Sequence, residues 1–179
     1  MNKNYIYDGF HKIEMIKAEM KGKTVSRERL IIPSAIGGLV VDSKGRIALV
    51  SQYRPTIGQY TKEIPAGILD KNLSKIDTLL EELEEECEIK RTDIVHIYHK
   101  PFKEYYMITG SSDAKITLYA ILVNDQGLDH KEILDDNDVE SIEWVTFDQF
   151  TKYVDDGLIV DAKTLFAYDY MLYVFKDLL

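Results

Sequence analysis

The chain has a single cysteine, Cys87, so it closes no intramolecular disulfide and relies on packing for its stability. It has no apolar run of about 18 residues, the minimum for a spanning helix, and no basic-then-apolar leader at its start. Positive charge is also short, with 22 Lys and Arg against 31 Asp and Glu, a formal net charge of −9. That balance excludes a general binder of nucleic acid or anionic membrane, since both need a basic face. The expectation is a soluble, cytoplasmic protein with neither partner. An anionic substrate would then need local positive charge or a metal ion to overcome the field.

Several chemical motifs are missing as well. There is no G-x-x-x-x-G-K-[ST] phosphate loop, no G-x-G-x-x-G dinucleotide loop and no G-x-S-x-G nucleophile elbow. His96 and His99 would point to opposite faces of a strand and have no cysteine nearby, so they make no zinc site. Asp136, Asp138 and Glu140 mimic the acids of a calcium loop, but the turning glycine is absent and a strand follows.

What remains is enough for one domain with a real core and a small appendage, at 179 residues, 45% apolar and 30% charged. Residues 4–32 read as short strands with a hairpin around Lys21-Gly22-Lys23. Such a pair needs a partner sheet or subunit. Ile36 to Val41 and Arg46 to Val50 read as buried strands joined by the turn Asp42-Ser43-Lys44-Gly45. Ile94 to Tyr98, Tyr105 to Ile108, Ile116 to Val123 and Ser141 to Val145 are further strands. Thr146 to Asp155 and Asp161 to Leu178 read as closing helices. Strands, one intervening helix, then helices predict α+β or an α/β/α sandwich.

The most informative stretch is Glu63 to Ile89. Six of the eight residues from Glu81 to Glu88 are glutamates, and no Lys or Arg lies between Lys75 and Lys90. Ile76, Leu79, Leu80, Leu83 and Cys87 fall on one helical stripe, which makes Cys87 a core residue. Ser74 with Asp77 three residues later forms the N-terminal cap. Glu82 and Glu86 flank the stripe, while Glu85 points further toward solvent. The like-charge pairs Glu81–Glu85, Glu82–Glu86 and Glu84–Glu88 each cost roughly 0.2–0.5 kcal/mol. A solvated helix face and a set of hard-cation ligands both fit this pattern, and spacing alone does not choose between them.

The residues resemble the Nudix family. Gly67 followed at the right distance by Glu82-Leu83-Glu84-Glu85-Glu86 looks like the Nudix box, G-x5-E-x7-R-E-U-x-E-E-x-G-U with U aliphatic. Gln52-Tyr53-Arg54, Glu63-Ile64-Pro65-Ala66-Gly67, Gly157 to Thr164 and the N-terminal strands are similar to its ADP-ribose pyrophosphatase branch. The resemblance implies a Nudix-type α/β/α sandwich with a mixed sheet, class α+β. It divides the chain into a dimer-forming strand segment, 1–32, and a catalytic domain, 33–179. It also implies hydrolysis, with Mg²⁺ or Mn²⁺, of the pyrophosphate bond in a nucleoside diphosphate linked to another group, by a homodimer.

Carried over by position, the metal ligands are Glu82, Glu85, Glu86 and the Ala66 carbonyl, and the general base is Asp138 or its neighbour Asp136. Arg54, Arg27 and Arg29 are expected at the phosphates, Phe10 on the base, and Glu63 and Gly110 at the substrate. Four positions depart from the pattern. Leu73 stands for the family's first glutamate, Glu81 for its arginine and Glu88 for its second glycine. In the family the first two support the geometry of loop and helix, so that support is missing in its usual form. Thr109 stands where this branch carries proline before the glycine. A member that binds a nucleotide or partner without turnover is the competing expectation.

Overall fold

The computed structural model describes residues 5–127, 129–132 and 139–175. β1 (Tyr5–Asp8), β2 (Lys12–Met20) and β3 (Lys23–Ile31) form a separate three-stranded antiparallel sheet. β2 and β3 pair along their whole length around Lys21 and Gly22, whose φ values of 51° and 72° are both positive. A two-residue turn of this hand matches the right-handed twist of the strands it joins.

The larger sheet begins with β4 (Ala35–Asp42) and β5 (Ile47–Arg54), followed by β6 (Gln59–Glu63) and β7 (Ala66–Ile68). The first helix, α1, spans Lys75–Cys87. Then come β8 (Ile94–Ile97), β9 (Lys103–Tyr106), β10 (Lys115–Val123), β11 (His130–Glu132) and β12 (Val139–Val145), and the helices α2 (Phe147–Asp155) and α3 (Ala162–Phe175). The sheet runs β11-β12-β5-β4-β10-β8, with β6, β7 and β9 pairing to β5, β4 and β10. β4 and β10 are parallel from Ala35↔Ile116 to Asp42↔Val123, and the other pairs are antiparallel, so the sheet is mixed as expected.

Strand periodicity divides the core into two layers. Ile36, Val40, Ala48, Val50, Tyr119 and Ile121 pack with Leu79, Leu80, Leu83 and Cys87 of α1. On the other face Leu39, Ile47, Leu49 and Leu118 pack with Phe150 of α2 and Ala167 and Met171 of α3. The apolar stripe of α1 is therefore the sheet-facing one, and the thiol of Cys87 is buried in it. Gly38 lets the helix close in, since a Cβ there would lie 3.2 Å from Leu79 Cδ1.

Both ends of α1 follow the sequence. Ser74 Oγ accepts from the Asp77 N–H at 3.1 Å. Glu88, where the family has glycine, closes the helix in the left-handed region at φ 55°, and its N–H bonds back to the Glu84 carbonyl at 3.1 Å. A side chain in that region carries a Cβ clash that glycine avoids. Replacing Glu88 by glycine should raise stability by about 0.5–1 kcal/mol in urea titration, the clash outweighing the entropy glycine adds to the unfolded chain.

Candidate active site

The segment before α1 is pinned on several sides. The Ile64 N–H donates to Oγ1 of the buried Thr164 at 2.9 Å, and the Gly38 N–H donates to the Pro65 carbonyl at 3.0 Å. β7 then pairs with β4, placing Ala66 opposite Gly37 and Gly67 opposite Ile36. The Ala66 N–H donates to Glu86 Oε2 at 3.1 Å. One turn earlier on the helix, Glu82 lies against the bare Cα of Gly67, where an added Cβ would sit 2.1 Å from its carboxyl. Glycine is needed here for close approach.

Two carboxylates are thus drawn into a place that favours their neutral form. Burial, together with the charge of Glu82, pushes Glu86 up to about 7 in spite of the Ala66 N–H and the nearby charges of Lys163 and Arg54. Burial and Glu85 raise Glu82 as well. Glu85 is exposed. A divalent cation would relieve this clustering, and the donor set of carboxylate oxygens beside a backbone carbonyl is the set hard cations take. Among the described residues no three His, Cys, Asp or Glu side chains are arranged to hold a cation as they stand. Glu82, Glu86 and the Ala66 carbonyl are the groups that would hold such an ion, and in the chemistry of their donors they fit it.

Next to them is a second charged group. Glu63, only 2% exposed, accepts from Arg54 Nε at 2.7 Å, from Thr61 and from Lys163. Burial alone would raise the Glu63 carboxyl, but the bonds from Arg54 and Thr61 and the charge of Lys163 hold it at about 2. Lys163 also donates to Asp161 Oδ2 at 3.0 Å, while Asp161 Oδ1 is buried without a hydrogen-bond partner. Arg54, Gln59, Thr61, Glu63, Val160 and Asp161 line a cleft of about 570 Å³.

The fold brings Ala66, Glu82, Glu86, Arg54 and Glu63 into one neighbourhood, in which Glu86 and Arg54 act on each other's charge. The other expected residues lie elsewhere. Arg29 pairs with Glu14 and, at 3.1 Å, with Asp113. Arg27 bonds the Ser26 carbonyl from β3. Phe10 is 80% exposed beside His11 rather than packed in a core. Gly110 sits in the turn that precedes Ser111, whose carbonyl accepts from the Leu30 N–H. Asp136 and Asp138 fall outside the described residues. Asp161, Lys163 and Thr164 were not expected at the site. The signal for them was their place in the stretch Gly157 to Thr164, already similar to the branch as a whole.

Comparison with known proteins agrees with this geometry. A family model described as NUDIX domain matches residues 32–166. An ADP-ribose pyrophosphatase of Bacillus subtilis (strain 168) is 30% identical over 150 residues, covering 84% of this chain and 78% of that protein. A methanol dehydrogenase activator of Bacillus methanolicus is 29% identical over 164 residues, covering 89% and 84%. The chain belongs to the Nudix family.

Two outcomes test the local geometry. Gly67→Ala should leave the fold intact but displace Glu82, abolishing any Mg²⁺-induced rise in Tm. Glu63→Gln should cost about 3 kcal/mol at neutral pH, because it removes a buried carboxylate that takes donors from Arg54, Thr61 and Lys163. The Glu63 carboxyl titrates near 2 when folded against about 4.5 when unfolded, so its contribution is complete above about pH 5. The difference in stability between wild type and variant should shrink as pH falls from about 4.5 toward 2.

Proposed function

We propose that the protein hydrolyses the pyrophosphate bond of a nucleoside diphosphate linked to another group, such as ADP-ribose or a nucleotide sugar, with Mg²⁺ or Mn²⁺ as cofactor. The observation that carries this reading is the seating of Glu86 on Ala66 and Glu82 on Gly67, beside a cleft lined by Arg54 and Glu63. Glu82, Glu86, the Ala66 carbonyl and Glu85 would hold the ion, which supplies charge neutralisation at the diphosphate and a more acidic water.

The chain's own residues do the rest. Glu63 takes two donors of Arg54 and fixes its guanidinium at the cleft, where it meets phosphate oxygens. Asp161 Oδ1 offers an acceptor to a hydroxyl of the bound molecule. Asp138 or Asp136 is the proposed base for the attacking water. Arg27, Arg29, Phe10 and Gly110 lie on or against the N-terminal sheet, and their part in substrate binding would be played across a homodimer built on residues 1–32. Among the described residues no helix is long and apolar enough to cross a membrane.

The two named relatives differ, one a pyrophosphatase and one an activator of a dehydrogenase, so the assay needs a panel. ADP-ribose, nucleotide sugars and dinucleoside polyphosphates should be offered with and without Mg²⁺. The expected outcome is Mg²⁺-dependent release of nucleoside monophosphate from at least one of them. Glu82→Gln and Glu86→Gln should each lower kcat by about 100-fold or more, a loss of about 3 kcal/mol in transition-state stabilisation. Thermal stabilisation by a nucleotide with no product at saturating Mg²⁺ would instead make this a binding protein.

A further inference from the structure

The Nudix pattern lacks both of its supporting residues in this chain, since Leu73 stands for the loop glutamate and Glu81 for the helix arginine. Leu73 is exposed and takes no such part. A different ion pair crosses the same gap. Lys71, in the segment between β7 and α1, places Nζ 2.9 Å from Glu81 Oε2 and 3.9 Å from Glu85 Oε1. It is the only Lys or Arg between Lys62 and Lys75. The helix carboxylates, which have no cation of their own sequence run to oppose them, are met by this one from the loop.

We infer that Lys71 and Glu81 form a loop-to-helix bridge of reversed polarity, which replaces the missing pair and sets the Ala66-Gly67 segment against Glu82 and Glu86. The inference rests on the proposed metal role of those glutamates. Three features of the chain support it. Both substitutions in the pattern occur together, as a swap of sign requires, because an unchanged arginine at 81 would repel Lys71. The bridge spans ten positions and joins the two elements whose relative placement decides where Glu82 lies on Gly67. Lys71 also faces Glu85 and so offsets the repulsion between Glu81 and Glu85 one turn apart. Its ammonium is held in the charged form, first by the hydrogen bond to Glu81 and then by the charge of Glu85. Lys71 is a positioning residue that acts through the helix and touches no reacting atom.

A charge-swap cycle tests this with two readouts. The first is amide hydrogen exchange at Ala66 and Leu69 in the metal-free protein, since both N–H groups are hydrogen-bonded, to Glu86 and to the Ser34 carbonyl. The second is the Mg²⁺ concentration that gives half of the full thermal shift. Lys71→Glu and Glu81→Arg should each speed exchange and raise the Mg²⁺ midpoint by about 10-fold, as lost support around a metal site commonly does. Lys71→Glu combined with Glu81→Arg should bring both quantities back to within about threefold of wild type, and Lys71→Arg should leave them there. Single variants that behave as wild type, or a double variant no better than either single one, would overturn the bridge. If the cycle closes while no substrate in the panel is cleaved, the bridge stands and the hydrolase reading falls. If substrate is cleaved while the exchange and the midpoint stay unmoved in the single variants, the reverse holds.

Discussion

The site depends on how closely α1 can lie on the sheet, and two missing side chains set that distance. At Gly38 a Cβ would press on Leu79, and at Gly67 it would occupy the place of the Glu82 carboxyl. Leu79, Leu83 and Cys87 anchor the helix from within, so its polar flank has no freedom to lift away. A close-packed interior transmits such a constraint without slack. Glu82 and Glu86 are therefore partly buried because of the apolar residues beside them, and their raised affinity for protons follows from the packing.

A second constraint acts beside the first. Glu63 binds Arg54 on the neighbouring strand and Lys163 at the start of α3, and Thr164 bonds the backbone one residue further on. This group of charges is nearly satisfied internally, unlike the pair on α1. The two halves of the site thus have opposite electrostatic character: one is held ionised by its partners, and the other is short of positive charge. An anionic substrate accompanied by divalent cations matches that division, with the net charge of −9 offset only locally.

The layered fold could be read from the chain because each layer writes its own period. The apolar runs of β4 and β5 mark strands buried on both faces, and the stripe of α1 marks the helix that covers one of those faces. The cap at Ser74 is legible for the same reason, being local. The expected strand from Arg46 to Val50 continues to Arg54, because pairing with β6 carries the polar end of β5 that periodicity does not mark. No local pattern in the sequence marks the ion pairs of Lys71 and Lys163, since a cation's partner is set by tertiary placement and the helix's own run from Ile76 to Ile89 carries no positive charge to oppose its glutamates. Phe10, expected on the base, is exposed beside His11, because pattern does not say which apolar residue the fold leaves uncovered.

The hydrogen bond between Ile64 and Thr164 closes a loop of 100 residues. It has a consequence for the order in which the protein acquires its parts. Synthesis delivers the N-terminal elements first, so Glu82, Glu86 and the Ala66 segment leave the ribosome long before the groups that hold Glu63 and Ile64 in place. A nascent chain that ends at β10 already carries the acidic helix and all of its sheet but β11 and β12, yet it lacks both the ammonium and the hydroxyl at the head of α3. The cleft takes its final shape only once residues 161–164 have emerged, which withholds a finished site from a chain made only as far as β10.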